Sequence, residues 1–430
     1  MSNIIKTVTR EIESTLIKDV IRTIGAASAA SEASLLHTLD NPNPYSTSAS
    51  DVFARAVGAS ESYSIAGAYQ EDDAGGTSSG KAYIFNNATG ALLHTLDNPN
   101  AFYTSASDSF GWSVAISESY AISGAHQERA NDYQPFSGRA YIFNSSTGAL
   151  LHSLDNPNPY GTSGYDNFGF SVGISDTHAI VSAYYEDEAG GSNSGKAYIY
   201  TSSTGALLHT LDNPNAYSTS GSDVFGSAVA ISESYSIIGA FNEDDAGGAN
   251  SGKAYIFSNS TGALLHTLDD PNAYSTSSYD YFGRAVAISE SYSIVGAYGE
   301  DDAGGYSSGK AYIYSNSTGA LLHTLDNPNV YGTSANDSFG WSVGITDTHA
   351  IVSAYSEDDV GVLSAGRAYV YDVSTGSLLN TLEDPNAYDT SAYDIFGYSV
   401  GISDTHAIVG AYGEDDASGT SSGKAYIYGF

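Results

Sequence analysis

The chain has 430 residues, with 14 Lys plus Arg against 49 Asp plus Glu and a formal net charge of −35, which argues against a nucleic-acid backbone or an anionic membrane surface as partner. Cations and neutral polar molecules remain. There is no cysteine, so disulfides, thiolate metal sites and cysteine catalysis are excluded.

Residues 3–24 read as one amphipathic helix: Ile5, Val8, Ile12 and Leu16 follow a helical stripe, Ile17, Val20, Ile21 and Ile24 continue it with a drift, and Gly25 ends it. Charges at Lys6, Arg10, Glu11, Glu13, Lys18, Asp19 and Arg22 break the apolar run, so neither a secretory signal nor a membrane span is expected. Residues 1–25 are expected to anchor the chain to an assembly partner through 3–24; the alternative is packing of the helix on its own domain. Residues 26–34 are small and polar, the composition of a tether.

From residue 35 to 430 the chain repeats itself. Phe53, Phe110, Phe168, Phe225, Phe282, Phe339 and Phe396 recur every 57 or 58 residues, a period that signals a solenoid, propeller or array. Each copy carries four strand-like runs, seen in one copy at 284–289 (RAVAIS), 292–298 (YSIVGAY), 310–314 (KAYIY) and 320–325 (ALLHTL). Several are apolar at consecutive positions, as expected of sheets covered on both faces. The first run, 35–39 (LLHTL), is a fourth strand lacking the first three, and the last, 424–428 (KAYIY), is a third strand lacking a fourth. Pairing the two closes a ring. The expected fold is an all-β, seven-bladed β-propeller of four-stranded blades closed by the N-terminal strand.

Phe-Gly, Ser-Val-Ala-Ile-Ser, Ile-Val-Gly-Ala and Ser-Gly-Lys-Ala-Tyr-Ile-Tyr resemble the FG-GAP repeat of integrin-α-like seven-bladed propellers, in its simpler microbial or viral form. The resemblance spans 35–430. Phe-Gly becomes Phe53-Ala54 in the first copy, Gly-Ala becomes Ser182-Ala183 and Ser353-Ala354 in two others, and the family's Pro after Gly-Ala is Tyr, Phe or His. The resemblance implies adhesion or ligand recognition before catalysis. Many members bind calcium in an Asp-x-Asp-x-Asp-Gly loop between the first two strands; here that loop is only Ser-Glu-Ser-Tyr (289–292) or Ser-Asp-Thr-His (403–406), too short to wrap an ion.

Strand alternation puts the 4-to-1 and 2-to-3 connections on one face of the ring, together with most of the acids. The Glu-Asp-Asp loops there gather hard oxygen donors beside glycines: Glu71, Asp72 and Asp73; Glu186 and Asp187; Glu243, Asp244 and Asp245; Glu300, Asp301 and Asp302; Glu414, Asp415 and Asp416. Calcium is the cofactor they would accept, best in a site shared with the Asp before the next Phe-Gly, such as Asp280; the alternative is a solvated acidic turn. Cations at the start of strand three, from Lys81 to Lys424, are expected to balance this charge. Every 4-to-1 loop adds an aromatic ring, Tyr45, Tyr103, Tyr160, Tyr217, Tyr274, Tyr331 or Tyr388, suited to stacking on a glycan or a cell-surface ligand, or else to wedging between blades.

Strand-four histidines such as His94 read as outer-edge residues, and there is no zinc pattern, phosphate loop or nucleophile elbow. Seven near-identical blades also offer like groups where catalysis needs unlike ones. Symmetry breaks at 126–136 (HQERANDYQPF) and 360–363 (VGVL), where a unique partner would be sought. The expected function is a non-enzymatic recognition or display module, such as a phage or virus surface fibre, knob or decoration. A carbohydrate-active propeller enzyme and a cytoplasmic scaffold are the competing readings.

Overall fold

The computed structural model describes residues 33–42, 50–72, 77–99, 107–129, 136–157, 165–187, 193–214, 222–244, 249–271, 278–301, 305–328, 335–358, 363–385, 393–415 and 421–430. The expected helix at 3–24 and most of the tether lie outside them. The described strands form seven separate four-stranded antiparallel sheets arranged as the blades of one propeller. Blade one shows the pattern: Phe53–Ala59, Tyr63–Ala68, Lys81–Asn86 and Leu92–Asp97 pair in sequence order from the central channel outward. Blade seven is completed from the other end of the chain, Ser34–Asp40 pairing with Lys424–Gly429 so that Leu39 faces Ala425 and Asp40 faces Lys424. This ring closure is the one the complementary ends imply.

The cores lie between blades. Ile65, Ala82, Ile84 and Leu96 of blade one meet Phe110, Val114, Ala125 and Tyr141 of blade two, all buried. At the seam, Leu39, Ile408, Ala425 and Ile427 meet Phe53, Ala54 and Tyr83. The Phe of each Phe-Gly is wholly buried, and its ring meets that of the strand-three Tyr edge-on or tilted, as Phe53 does Tyr83 at 5.9 Å. Burying one such ring contributes about 1.5–3 kcal/mol.

The glycines of the two motifs meet where neighbouring blades touch backbone to backbone. Gly111 has φ +85°, and a Cβ on Gly67 of the preceding blade would lie 2.0 Å from the Gly111 carbonyl oxygen. Ala54, replacing that glycine in blade one, holds φ 63° at the seam.

On the face carrying the 1-to-2 turns, each turn's acid takes a hydrogen bond from the preceding blade. The Ser62 N–H donates to Glu118 at 2.9 Å, Ser119 to Asp176 at 3.0 Å, Asp176 to Glu233 at 3.0 Å, Ser234 to Glu290 at 3.1 Å and Ser291 to Asp347 at 2.9 Å. The Thr348 hydroxyl donates to Asp404 at 2.8 Å, and the Asp404 N–H donates to Glu61 at 2.8 Å, completing the circle across the seam. At the rim, the His94 ring nitrogen lies 2.9 Å from the Ser146 carbonyl of the next blade. The outer-edge histidines therefore link blades.

Candidate functional site

The face that receives the 4-to-1 and 2-to-3 connections is built from two concentric sets of side chains. The outer set is the acidic loops. The first Glu of each cluster, Glu71, Glu128, Glu186, Glu243, Glu300, Glu357 or Glu414, is fully buried. It accepts hydrogen bonds from the strand-three tyrosine of its own blade: the Tyr83 hydroxyl donates to Glu71 at 2.6–2.7 Å, and Tyr141 to Glu128 at 2.7–2.9 Å. A solvated turn is thus the wrong picture for these glutamates. The next acid closes the loop on itself, Asp72 accepting from the Ser78 N–H and Asp187 from the Asn193 N–H at 2.8 and 2.9 Å. Asp244, Asp301 and Asp415 do the same for Asn250, Ser307 and Ser421.

Burial pushes these glutamates up, Glu71 and Glu186 to about 8 and Glu128, Glu243 and Glu300 to about 7, with Glu414 moved in the same direction. Strand-three cations give partial compensation: Arg139 lies 2.9 Å from Glu128, Arg367 2.6 Å from Glu357 and Lys424 3.0 Å from Glu414. Lys81, Lys196, Lys253 and Lys310 pair with Asp97, Asp212, Asp269 and Asp326 at the end of strand four. These cations act as charge balance.

The Asp before each Phe-Gly is buried too, between two non-glycine residues of positive φ, as Asp280 is between Tyr279 (67°) and Tyr281 (56°). In five blades it accepts from an Asn side chain, for example Asn41 to Asp51 at 2.9 Å. In two places that Asn is an Asp. There Asp270, Asp280 and Glu300, and likewise Asp384, Asp394 and Glu414, bring three carboxylates within 4.8 Å of one another. Asp280 thus gathers with the Glu-Asp-Asp loop that follows it rather than the one before. Glu71, Glu186 and Glu243 belong to no such triad among the described residues.

The inner set surrounds the mouth of the central channel. The residue two places after each conserved Phe points there: Arg55, Trp112, Phe170, Ser227, Arg284, Trp341 and Tyr398 line a cup of about 250 Å³. Below it, strand-one valines and isoleucines such as Val114, Ile116, Val229 and Ile231 make the channel wall apolar. Behind the cup stands a second ring, from the residue after each Gly-Ala. Tyr69 meets Trp112 at 4.9 Å, Trp112 meets His126 at 4.5 Å, Tyr298 meets Trp341 at 5.0 Å, and Tyr398 meets Tyr412 at 4.5 Å. Ser227 interrupts this collar in blade four.

The two arginines lie over this aromatic surface. The Arg55 guanidinium carbon is 3.6 Å from the Trp112 ring centre, and that of Arg284 is 4.8 Å from Trp341 and 5.7 Å from Phe241. Burial, with a smaller contribution from Arg55, draws the Arg284 guanidinium below the ordinary arginine value. Burial likewise holds His126 near 3, so it stands neutral behind Trp112.

A family model described as the FG-GAP repeat matches the chain seven times, at 44–85, 104–143, 159–200, 216–257, 273–314, 332–371 and 386–428. The chain belongs to the FG-GAP repeat family. No curated protein matches it in sequence.

Within this FG-GAP propeller the expected site residues divide. Tyr45, Tyr103, Tyr160, Tyr217, Tyr274, Tyr331 and Tyr388 lie outside the described residues, as do Asp73, Asp245, Asp302 and Asp416. Of the loops expected to break symmetry, 126–136 contributes His126 to the collar, while of 360–363 only Leu363 is described. What the repeats share does not reveal the cup. Its signal is scatter: Arg, Trp, Phe, Ser, Arg, Trp and Tyr follow otherwise near-identical Phe-Gly motifs.

Proposed function

We propose that the chain is a non-enzymatic recognition module whose ligand enters the mouth of the central channel. The observation that carries this reading is the cup itself, an aromatic and arginine-lined depression on a face whose leading glutamates, among the described residues, are occupied in holding blades and loops together. The cup lining includes no carboxylate and no histidine among the described residues, so the acid and base pair that glycoside hydrolysis uses has no counterpart there. The finer reading is display on an assembly such as a virion surface, with 3–24 as the attachment helix; it rests on the apolar stripe of that segment and on the recognition role implied by the fold. A glycan array probed with the intact protein and with Trp341→Ala tests the reading. Binding that the substitution abolishes supports it, and turnover of a bound saccharide overturns it in favour of an enzyme.

Calcium enters this proposal at the two triads alone. Glu300 supports the first: its Oε1 is buried and without a hydrogen-bond donor beside Asp270 and Asp280. Isothermal titration with calcium is expected to give about two sites at most and to lose one in Asp270→Asn. Seven equivalent sites would contradict the assignment.

A further inference from the structure

We propose that the cup binds a carboxylate-bearing saccharide, the carboxylate held between Arg55 and Arg284 and the sugar ring lying against the aromatic collar. This rests on the recognition reading above and names its ligand class.

The argument begins with charge. Two guanidinium groups line one small depression, and among the described residues neither forms an ion pair with a carboxylate. This occurs in a chain with 49 acids and 14 Lys plus Arg, in which the strand-three cations do find acids. Arg55 and Arg284 come from blades one and five, across the mouth from one another, and Arg284 feels the charge of Arg55. Two like charges half-removed from water repel, and an anion between them turns that repulsion into attraction.

Geometry narrows the ligand. With its central carbon over Trp112 or Trp341, each guanidinium has no carboxylate partner among the described residues and keeps N–H groups for the two-pronged contact that a carboxylate accepts. The π faces of the collar present electron density to the C–H face of a sugar ring. A cup of about 250 Å³ is small beside the ~300–1,000 Å³ of sites for drug-sized ligands, so it takes one terminal sugar and not a chain.

The net charge of −35 repels polyanions from the surrounding face, which favours a single negative group on an otherwise neutral molecule. Composition alone therefore misleads: it points to cations and neutral partners, while the two arginines set in the mouth point to an anion. Seven related but unequal positions also explain why one site forms. Ser227 opens the collar on the Arg284 side, where aromatic rings fill the corresponding place in blades two, three, six and seven.

The test is titration calorimetry of the full chain with sialyllactose and with lactose, and with glucuronic acid and its methyl ester. The acidic member of each pair is expected to bind at least about tenfold more tightly, with affinity falling as salt rises. Arg55→Gln and Arg284→Gln are each expected to cost tenfold to a hundredfold, as an order of magnitude, and Arg284→Lys less, because charge is kept while the planar fork is lost. Thermal unfolding of each variant separates a binding loss from misfolding. Equal binding of acidic and neutral sugars, or binding of simple anions such as acetate as tightly as glucuronate, overturns the proposal. Saccharide binding abolished by Trp341→Ala but untouched by both arginine variants overturns it while leaving the recognition reading intact; no binding of any saccharide, with cup variants inert, overturns both.

Discussion

The two faces of the ring use acids in opposite ways. On the face of the 1-to-2 turns, carboxylates stay near solvent and accept hydrogen bonds from the neighbouring blade. Although partial burial raises them, hydrogen bonds from Ser60 and Ser62 hold Glu118 below its ordinary value, and those from Ser232 and Ser234 do the same for Glu290. On the mouth face the leading glutamates are fully buried and pushed upward. The lesson is that most of a sevenfold acid pattern can be structural, on both faces and for different reasons. What stands apart is the cup, where copies differ and two cations have no acid partner among the described residues.

The strongest way to break the comparison is to remove what both faces share. Phe282→Ala empties a fully buried site between blades and is expected to destabilise the protein by about 3–5 kcal/mol, seen as a lowered denaturant midpoint. Both faces then lose structure together. If saccharide binding survived at full affinity in a chain so weakened, the cup would not depend on ring integrity as the fold requires.

A sharper separation comes from pH. The mouth-face glutamates, raised in the folded protein from 4.5 to about 7 or 8, contribute stability that is fully present below about 4.5 and is lost as pH rises through 7 and 8. Glu118 and Glu290, lowered, contribute stability that is present above 4.5 and is lost as pH falls through their folded values. Urea midpoints should therefore peak near about pH 4.5 and decline from there towards pH 8. The decline on the alkaline side should shrink in Glu71→Gln, which keeps an acceptor for the Tyr83 hydroxyl without a buried charge. A midpoint that climbed steadily from pH 5 to pH 8 would contradict the burial of these groups.

The smallest expected effect lies at the seam. Glu61→Ala removes the acceptor of the Asp404 N–H and should cost only about 0.5–1.5 kcal/mol, because the group is exposed and water replaces it. Cup binding should not change. A loss at the seam clearly larger than that of Glu233→Ala, which removes the equivalent bond between blades three and four, would show that the junction of the chain ends is the weak point of the ring.

Much of this was legible in the residues. The Phe-Gly spacing gave the blade number, and the orphan 35–39 segment gave the closure later seen in the pairing of Leu39 with Ala425. The burial of Glu71 was not legible, because three acids beside two glycines look like a solvated turn. Only the hydrogen bond to the strand-three tyrosine, twelve residues on and brought back by the 2-to-3 hairpin, reveals where the carboxylate goes. The triads at Asp270 and Asp384 depend on Asn-to-Asp changes in a loop whose fold places them against Glu300 and Glu414. The roles of Arg55 and Arg284 are not legible in the sequence, because a side chain's direction at a strand entrance is set by the ring, and seven such positions converge only once the ring is closed.

A crystal structure of the protein soaked with sialyllactose addresses the central claim most directly. The account predicts the sialate carboxylate between Arg55 and Arg284, with its sugar ring against Trp341 or Trp112. Saccharide bound instead at the 4-to-1 loops that carry Tyr217 and Tyr274, with the mouth filled by water, would contradict it.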